Sequence, residues 1–150
     1  LNIEFFMPLT DQHRFGMQLA QMSRGWRAEL DRRLAGLGLS QARWLVLLHL
    51  ARFDCKPTQR ELAQSVGVEG PTLARLLDSL EAQGLVKRQA VLEDRRAKKI
   101  ELSESALPLI AQIEAIATAL RQELFVGIDE EEQRICMRVH KRILENLEKN

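Results

Sequence analysis

The sequence is short of the residues that build most catalytic and metal centres. Its 150 residues include only two cysteines and three histidines. Cys55 and Cys136 lie far apart and form no Cys-x-x-Cys pair, which excludes a disulfide framework and leads us to expect a reduced, cytoplasmic protein. His13, His49 and His140 lack a mutual spacing that would hold a metal and read as structural or surface groups. There is no Gly-x-Ser-x-Gly, no phosphate-cradling glycine loop and no His-Glu-x-x-His. Neither an enzyme nor a cofactor is expected. No apolar run approaches the roughly 18 residues needed to cross a bilayer, so no membrane partner is expected. Residues 1–6 carry neither the basic flank nor the cleavage pattern of a secretory signal, and Met7 reads as a start position. The net charge is only +1, which disfavours a protein that coats nucleic acid through broad positive charge.

What is present is 45% hydrophobic and 29% charged, enough for one folded domain with a core. The charge is unevenly placed. Between Lys87 and Lys99 six Lys/Arg (87, 88, 95, 96, 98, 99) face only Glu93 and Asp94, a local +4. Residues 104–150 carry six Lys/Arg and nine Asp/Glu, a net of −3. A protein with a single nucleic-acid face would divide its charge in this way.

Periodicity organises the chain into helices. Thr10-Asp11 opens a long one, along which Phe15, Leu19, Met22, Trp26, Leu30, Leu34 and Leu37 recur at steps of three and four until Gly36 and Gly38. Ser40 caps a second, apolar nearly all round at Trp44–Leu48 and therefore central. After Pro57, Thr58-Gln59-Arg60-Glu61 forms a capping box for a short helix through Leu62, Ala63 and Val66 to Gly67. The next helix starts at Pro71, a first-turn position where a missing N–H costs nothing. Leu73, Leu76, Leu77 and Leu80 form its buried face. Thr72, Arg75 and Ser79 lie within about 60° of one another on the other side, a narrow polar stripe able to read a duplex. Two helices joined by a short glycine turn describe helix-turn-helix geometry.

Gly84 stops that helix, and the basic segment follows as a hairpin with its turn at Glu93-Asp94-Arg95-Arg96. The bland alternative is a solvated loop with incidental charge; the adjoining polar stripe argues against it. Ser103 or Ser105 caps the next long helix. Pro108 favours Ser105, since it then occupies the third helical position and no N–H bond is lost. Ile110, Ile113, Ile116, Ala117, Leu120 and Leu124 share one side up to Gly127. Asp129 opens the last helix, where Glu130–Glu132 complement the helix dipole and Ile135, Val139, Ile143 and Leu147 mark an apolar edge. Cys136 in that helix reads as packing. The terminal helices offer more apolar surface than a helix-turn-helix core can cover, so a symmetric dimer is expected.

These residues resemble the MarR family of winged-helix transcriptional regulators, in particular its SlyA-like branch. Asp94-Arg95-Arg96-Ala97-Lys98-Lys99-Ile100-Glu101-Leu102-Ser103 is similar to the family's wing signature. Leu39–Trp44, Gln59–Ala63 and Leu80–Val86 match the segments around it, and element order agrees from about residue 8 to 148. The resemblance implies a mainly α fold with a small β-hairpin wing: a winged helix-turn-helix lobe at 39–103, flanked by dimerisation helices at 8–38 and 104–150 of one chain. It implies a homodimeric repressor or activator on pseudo-palindromic duplex DNA. Thr72 and Arg75, with Ser79, would lie in the major groove. Asp94 would orient an arginine at the wing tip, with Arg95 or Arg96 in the minor groove. Thr58, Ser65, Lys87, Arg88, Lys98 and Lys99 would contact phosphates. Relatives respond to small aromatic or lipophilic effectors, for which Arg24, Trp26, Trp44 and His49 are the candidates here, although both tryptophans also suit the core. Some relatives sense peroxide through a cysteine in the first helix, which this chain lacks; Cys55, beside Lys56, is the alternative thiol sensor. A nucleoid-type architectural protein is the remaining alternative.

Overall fold

A computed structural model describes the backbone of residues 8–91 and 94–150, and their side chains except at 94–96. The chain divides into two compact units, one ending at Ala117 and one running Thr118–Asn150. The fold is mainly helical with one two-stranded antiparallel hairpin.

Helix α1 spans Asp11–Leu34. Thr10 caps it in a capping box whose second member is His13: the Thr10 hydroxyl accepts from the His13 N–H, and the ring nitrogen accepts from the Thr10 N–H at 3.1 Å. His13 is therefore structural. Of the expected apolar stripe only Leu30 and Leu34 are buried. Phe15, Leu19, Met22 and Trp26 are exposed in the single chain. A 3₁₀ turn at Ala35–Leu37 leads to Gly38, whose φ of +70° closes the helix.

Helix α2 (Gln41–Ala51) is central, as its all-round apolar sequence requires: Trp44, Val46, Leu47, Leu48 and Leu50 are buried. It packs on α3 (Gln59–Val66), on α4 (Gly70–Ala82) and on strand β2 (Asp94–Leu102). Ser40 holds the N-cap position but does not cap; its hydroxyl faces Arg43 Nε at 3.2 Å instead. The Thr58–Glu61 box is formed in both directions, at 3.1 Å each. Gly67, at φ +80°, turns the chain from α3 to α4 in a conformation that a side chain would strain.

Helix α4 begins one residue earlier than expected, at Gly70, with Glu69 as N-cap. Pro71 then takes the second position, where its missing N–H still has no intrahelical partner to lose. Leu73, Leu77 and Leu80 are fully buried, whereas Leu76 is half-buried at the edge of that face. Gly84 (φ +74°) ends the helix, and the Leu85 N–H returns to the Leu80 carbonyl at 2.9 Å.

Strand β1 (Val86–Val91) pairs with β2 in register from Val86↔Leu102 to Ala90↔Lys98. Val91 then faces Asp94, so residues 95–97 intervene on β2 with no counterpart on β1. The turn expected at 93–96 is thus shifted: the backbone of Asp94, Arg95 and Arg96 already belongs to β2, and Glu93 lies outside the described residues. On its other side β2 meets the segment before α3, through a Thr58↔Lys99 bridge and an Ile100 N–H bond to the Pro57 carbonyl at 2.9 Å. This pairing anchors the hairpin to the helix-turn-helix.

Neither serine caps the next helix in the expected way. Ser103 precedes a 3₁₀ turn at Glu104–Ala106 without a side-chain cap, and Ser105 Oγ donates to the Gly84 carbonyl at 2.8 Å. Helix α5 (Leu107–Leu124) follows, later than either serine predicts, with Pro108 in its first turn. Ile110, Ile113, Ala117 and Leu120 are buried, Ile116 is half-buried and Leu124 is exposed. In the second unit Asp129 and Glu132 box the start of α6 (Glu130–Glu148), and no residue of α6 is buried. Ile135, Val139 and Leu147 stand exposed along its edge. Cys136, expected to pack, is exposed too, because the chain alone offers α6 nothing that covers it.

Candidate nucleic-acid interface

Helices α3 and α4 and the hairpin form one lobe because their apolar faces share the α2 core. That packing turns the polar side of α4 outward. Arg75 is exposed, and Thr72 and Ser79 are half-buried on either side of it along the helix. The three expected readers therefore share a face, with Arg75 the one free to reach furthest. The side chains of Asp94, Arg95 and Arg96, expected at the wing tip, lie outside the described residues.

Strand parity sorts the remaining basic residues. Side chains alternate across a hairpin, so residues in step with buried Val86 and Ile100 face the lobe. Arg88 is one of them. Its guanidinium donates to Glu81 at 3.0 Å and to Asp78, both on α4, and only 17% of its side chain is exposed. These two carboxylates also raise the Arg88 pKa above its ordinary value, Glu81 most. Expected as a free phosphate contact, Arg88 is instead committed within the protein. Lys87 and Lys99 fall on the other parity, and these two and Lys98 are all exposed. Thr58 is spent on capping, and the Ser65 hydroxyl is hydrogen-bonded to His49 Nδ1 at 2.8 Å, so neither is as free as its composition suggests.

A cleft of about 530 Å³ opens between α3, the turn and α4 and the wing. Gln59, Arg60 and Gln64 line it from α3, and Glu69, Arg88 and Lys98 complete its polar wall. The α3 residues were missed in the sequence, although their spacing opposite Leu62, Ala63 and Val66 marks the solvent face of an amphipathic helix.

The four residues expected to seat an effector do not converge on either described cavity. Trp44 is 2% exposed in the core, with its indole N–H 3.5 Å from Asp31. Arg24 and Trp26 are exposed on α1. His49 is half-buried between α2 and α3; burial first, then Arg52 and Arg27, lower its pKa from 6.5. Folding therefore favours the neutral ring. The stability that this residue contributes is complete above pH 6.5 and falls as pH drops through that value toward the depressed folded pKa. Denaturant unfolding at about pH 7.5 and 5.5 is expected to show a loss on acidification that His49→Gln reduces; an equal loss in both proteins would contradict it. Beside exposed Cys55, the Lys56 ammonium is paired with Glu101 at 3.1 Å. No group of three or more His, Cys, Asp or Glu suited to a metal occurs among the described residues. No single helix there is long and apolar enough to cross a membrane.

Residues 37–97, the span from the 3₁₀ turn after the first helix into the second strand of the wing, match a model of the MarR family. The structure of transcriptional regulator PA3341 is 70% identical, with a TM-score of 0.86 over 91% of this chain and 99% of that one. MarR itself is 26% identical, with a TM-score of 0.71 over 91% and 98%. The S. aureus MepR–DNA complex, at 22% identity, shares the fold, with a TM-score of 0.76 over 88% and 97%. With its helix-turn-helix, antiparallel wing and flanking helices, the chain belongs to the MarR family of transcription regulators and is not an enzyme.

Proposed function

We propose that this regulator acts in the cytoplasm as a homodimer that binds pseudo-palindromic duplex DNA by sequence, in the manner of the SlyA-like branch. One observation carries the reading. The exposed stripe of α4 and the lysine-bearing hairpin stand side by side on one lobe, with a helix and a ribbon available for adjacent grooves. Arg75, flanked by Thr72 and Ser79, reads bases in the major groove, where a guanidinium can donate twice to guanine O6 and N7. Arg95 or Arg96, oriented by Asp94, enters the minor groove. Lys87, Lys98 and Lys99, joined by Arg60 of α3, neutralise phosphates; Thr58 and Ser65 approach the backbone chiefly through the helix they cap and brace. The lobe at 39–103 does the reading, and the helices at 8–38 and 104–150 join two copies. Exposed Phe15, Leu19 and Met22 on α1, and Ile135, Val139 and Leu147 on α6, are the surfaces a second copy covers. Of the four effector candidates Trp44 is in the core and His49 is bonded to Ser65, so Arg24 and Trp26, exposed on α1, are the residues best placed to meet a small aromatic or lipophilic effector.

Selection of sheared genomic DNA by the purified protein tests this reading. Enrichment of a few fragments sharing an inverted repeat is the expected result; uniform recovery would favour an architectural protein. On a selected site, Arg75→Ala is expected to cost about 1–3 kcal/mol, with a much smaller loss on scrambled DNA. Equal losses on both would remove its base-reading role.

A further inference from the structure

We propose that Arg88 is a positioning residue that locks the wing to the recognition helix α4, so that both meet one duplex at a fixed angle; the inference rests on the DNA-binding reading above. Its side chain bridges two elements. Arg88 stands on β1, while its partners Asp78 and Glu81 are three residues apart on one face of α4. The planar guanidinium fork can hold two carboxylates at once, which the single ammonium of a lysine does less well.

The hairpin is otherwise fastened to α4 near its base. Val86 is buried there, the Leu85 N–H reaches the Leu80 carbonyl, and Ser105 holds the Gly84 carbonyl. Arg88 is the next attachment of β1 to α4 outward, while on the α3 side β2 is held at the same level by the Ile100 bond to Pro57 and the Thr58↔Lys99 bridge. From Arg88 β1 continues three residues, about 10 Å, to the Val91↔Asp94 pair. A small change of angle at Arg88 is therefore magnified where the wing meets DNA. The partners are 63% and 44% exposed, so this ion pair contributes little to global stability. Its consequence is geometric. It also neutralises two carboxylates that would otherwise sit on a DNA-facing helix and repel phosphates.

Replacing Asp78 and Glu81 with their amides separates the possibilities. Asp78→Asn with Glu81→Gln removes two negative charges and frees Arg88, so electrostatics alone would tighten binding. A clamp predicts the opposite: about tenfold weaker binding to a selected duplex, with minor-groove protection by the wing lost and major-groove protection under α4 kept. Both residues are exposed, so the variant is expected to retain the wild-type melting curve. Arg88→Glu should lose the same minor-groove protection, and adding Glu81→Arg should restore part of it. Equal or tighter binding by the amide variant, or no restoration by the charge swap, would overturn the clamp and leave DNA binding intact. Wild-type protein that binds no duplex would overturn the DNA reading and this inference with it.

Discussion

Replacing Arg95 and Arg96 together with alanine is expected to abolish operator-specific affinity while leaving the fold and the oligomeric state unchanged. The two residues supply half of the local +4 charge of the hairpin. They also fall where the ladder is interrupted: residues 95–97 have no partner on β1, although pairing is regular from Ala90↔Lys98 to Val86↔Leu102. Chain freed from a ladder can bend toward a narrow groove, and such a groove concentrates the negative potential that attracts guanidinium groups. Losing one groove contact in each half-site, at about 1–3 kcal/mol apiece, weakens specific binding by roughly 30-fold to 10⁴-fold. The salt dependence should flatten as well, by about one unit of slope for each phosphate no longer neutralised. Fluorescence anisotropy with operator and scrambled duplexes at two salt concentrations measures both effects. An unchanged operator affinity would refute the wing assignment, whatever happens on scrambled DNA.

The second large effect is expected from Ile135→Asp combined with Val139→Asp. In the single chain both side chains are exposed, at 44% and 40%, so neither substitution disturbs a core. A monomer should tolerate them with changes within about 0.5 kcal/mol. Covered by a second copy, the same positions would bury two carboxylates in each subunit without partners, a cost that a dimer of ordinary strength does not survive. Sedimentation should then show a monomer. Operator affinity should drop by about 10²-fold or more, because the second half-site is no longer held at high effective concentration. A variant that remains dimeric would place the subunit contact elsewhere.

These two experiments draw on different kinds of information. The arginine prediction was available from the chain as written, since a basic run between two strand-like segments is a local pattern. The aspartate prediction needed exposure. Ile135 and Val139 read as an apolar edge from their spacing, but spacing cannot tell whether the chain covers that edge itself. The same limit explains the misreadings. Ser40, Ser103 and Ser105 all have capping chemistry, yet the Ser40 hydroxyl turns to Arg43 and Ser105 to the Gly84 carbonyl. Cys136 has the spacing of a packed residue on a helix that buries nothing.

What the sequence determined by itself was the succession of elements and the identity of their faces. The capping box at Thr58, the acidic helix opening at Asp129, glycines at 38, 67, 84 and 127, and the apolar steps between them act over a few residues, so they can be read without knowing what packs where. Tertiary structure decided which polar groups remain available. Arg88, Lys98 and Lys99 are neighbours in composition and charge, but only Arg88, on the lobe-facing parity and near the hairpin base, meets the carboxylates of α4. Lys98, on the same parity farther out, and Lys99, on the other, stay exposed. In the same way packing places Trp44 in the core and brings His49 to Ser65. The cleft bordered by Arg60 and Gln64 exists only because α3, α4 and the wing converge on α2. Local patterns specify where a side chain points; only packing brings residues distant in sequence close enough to satisfy it.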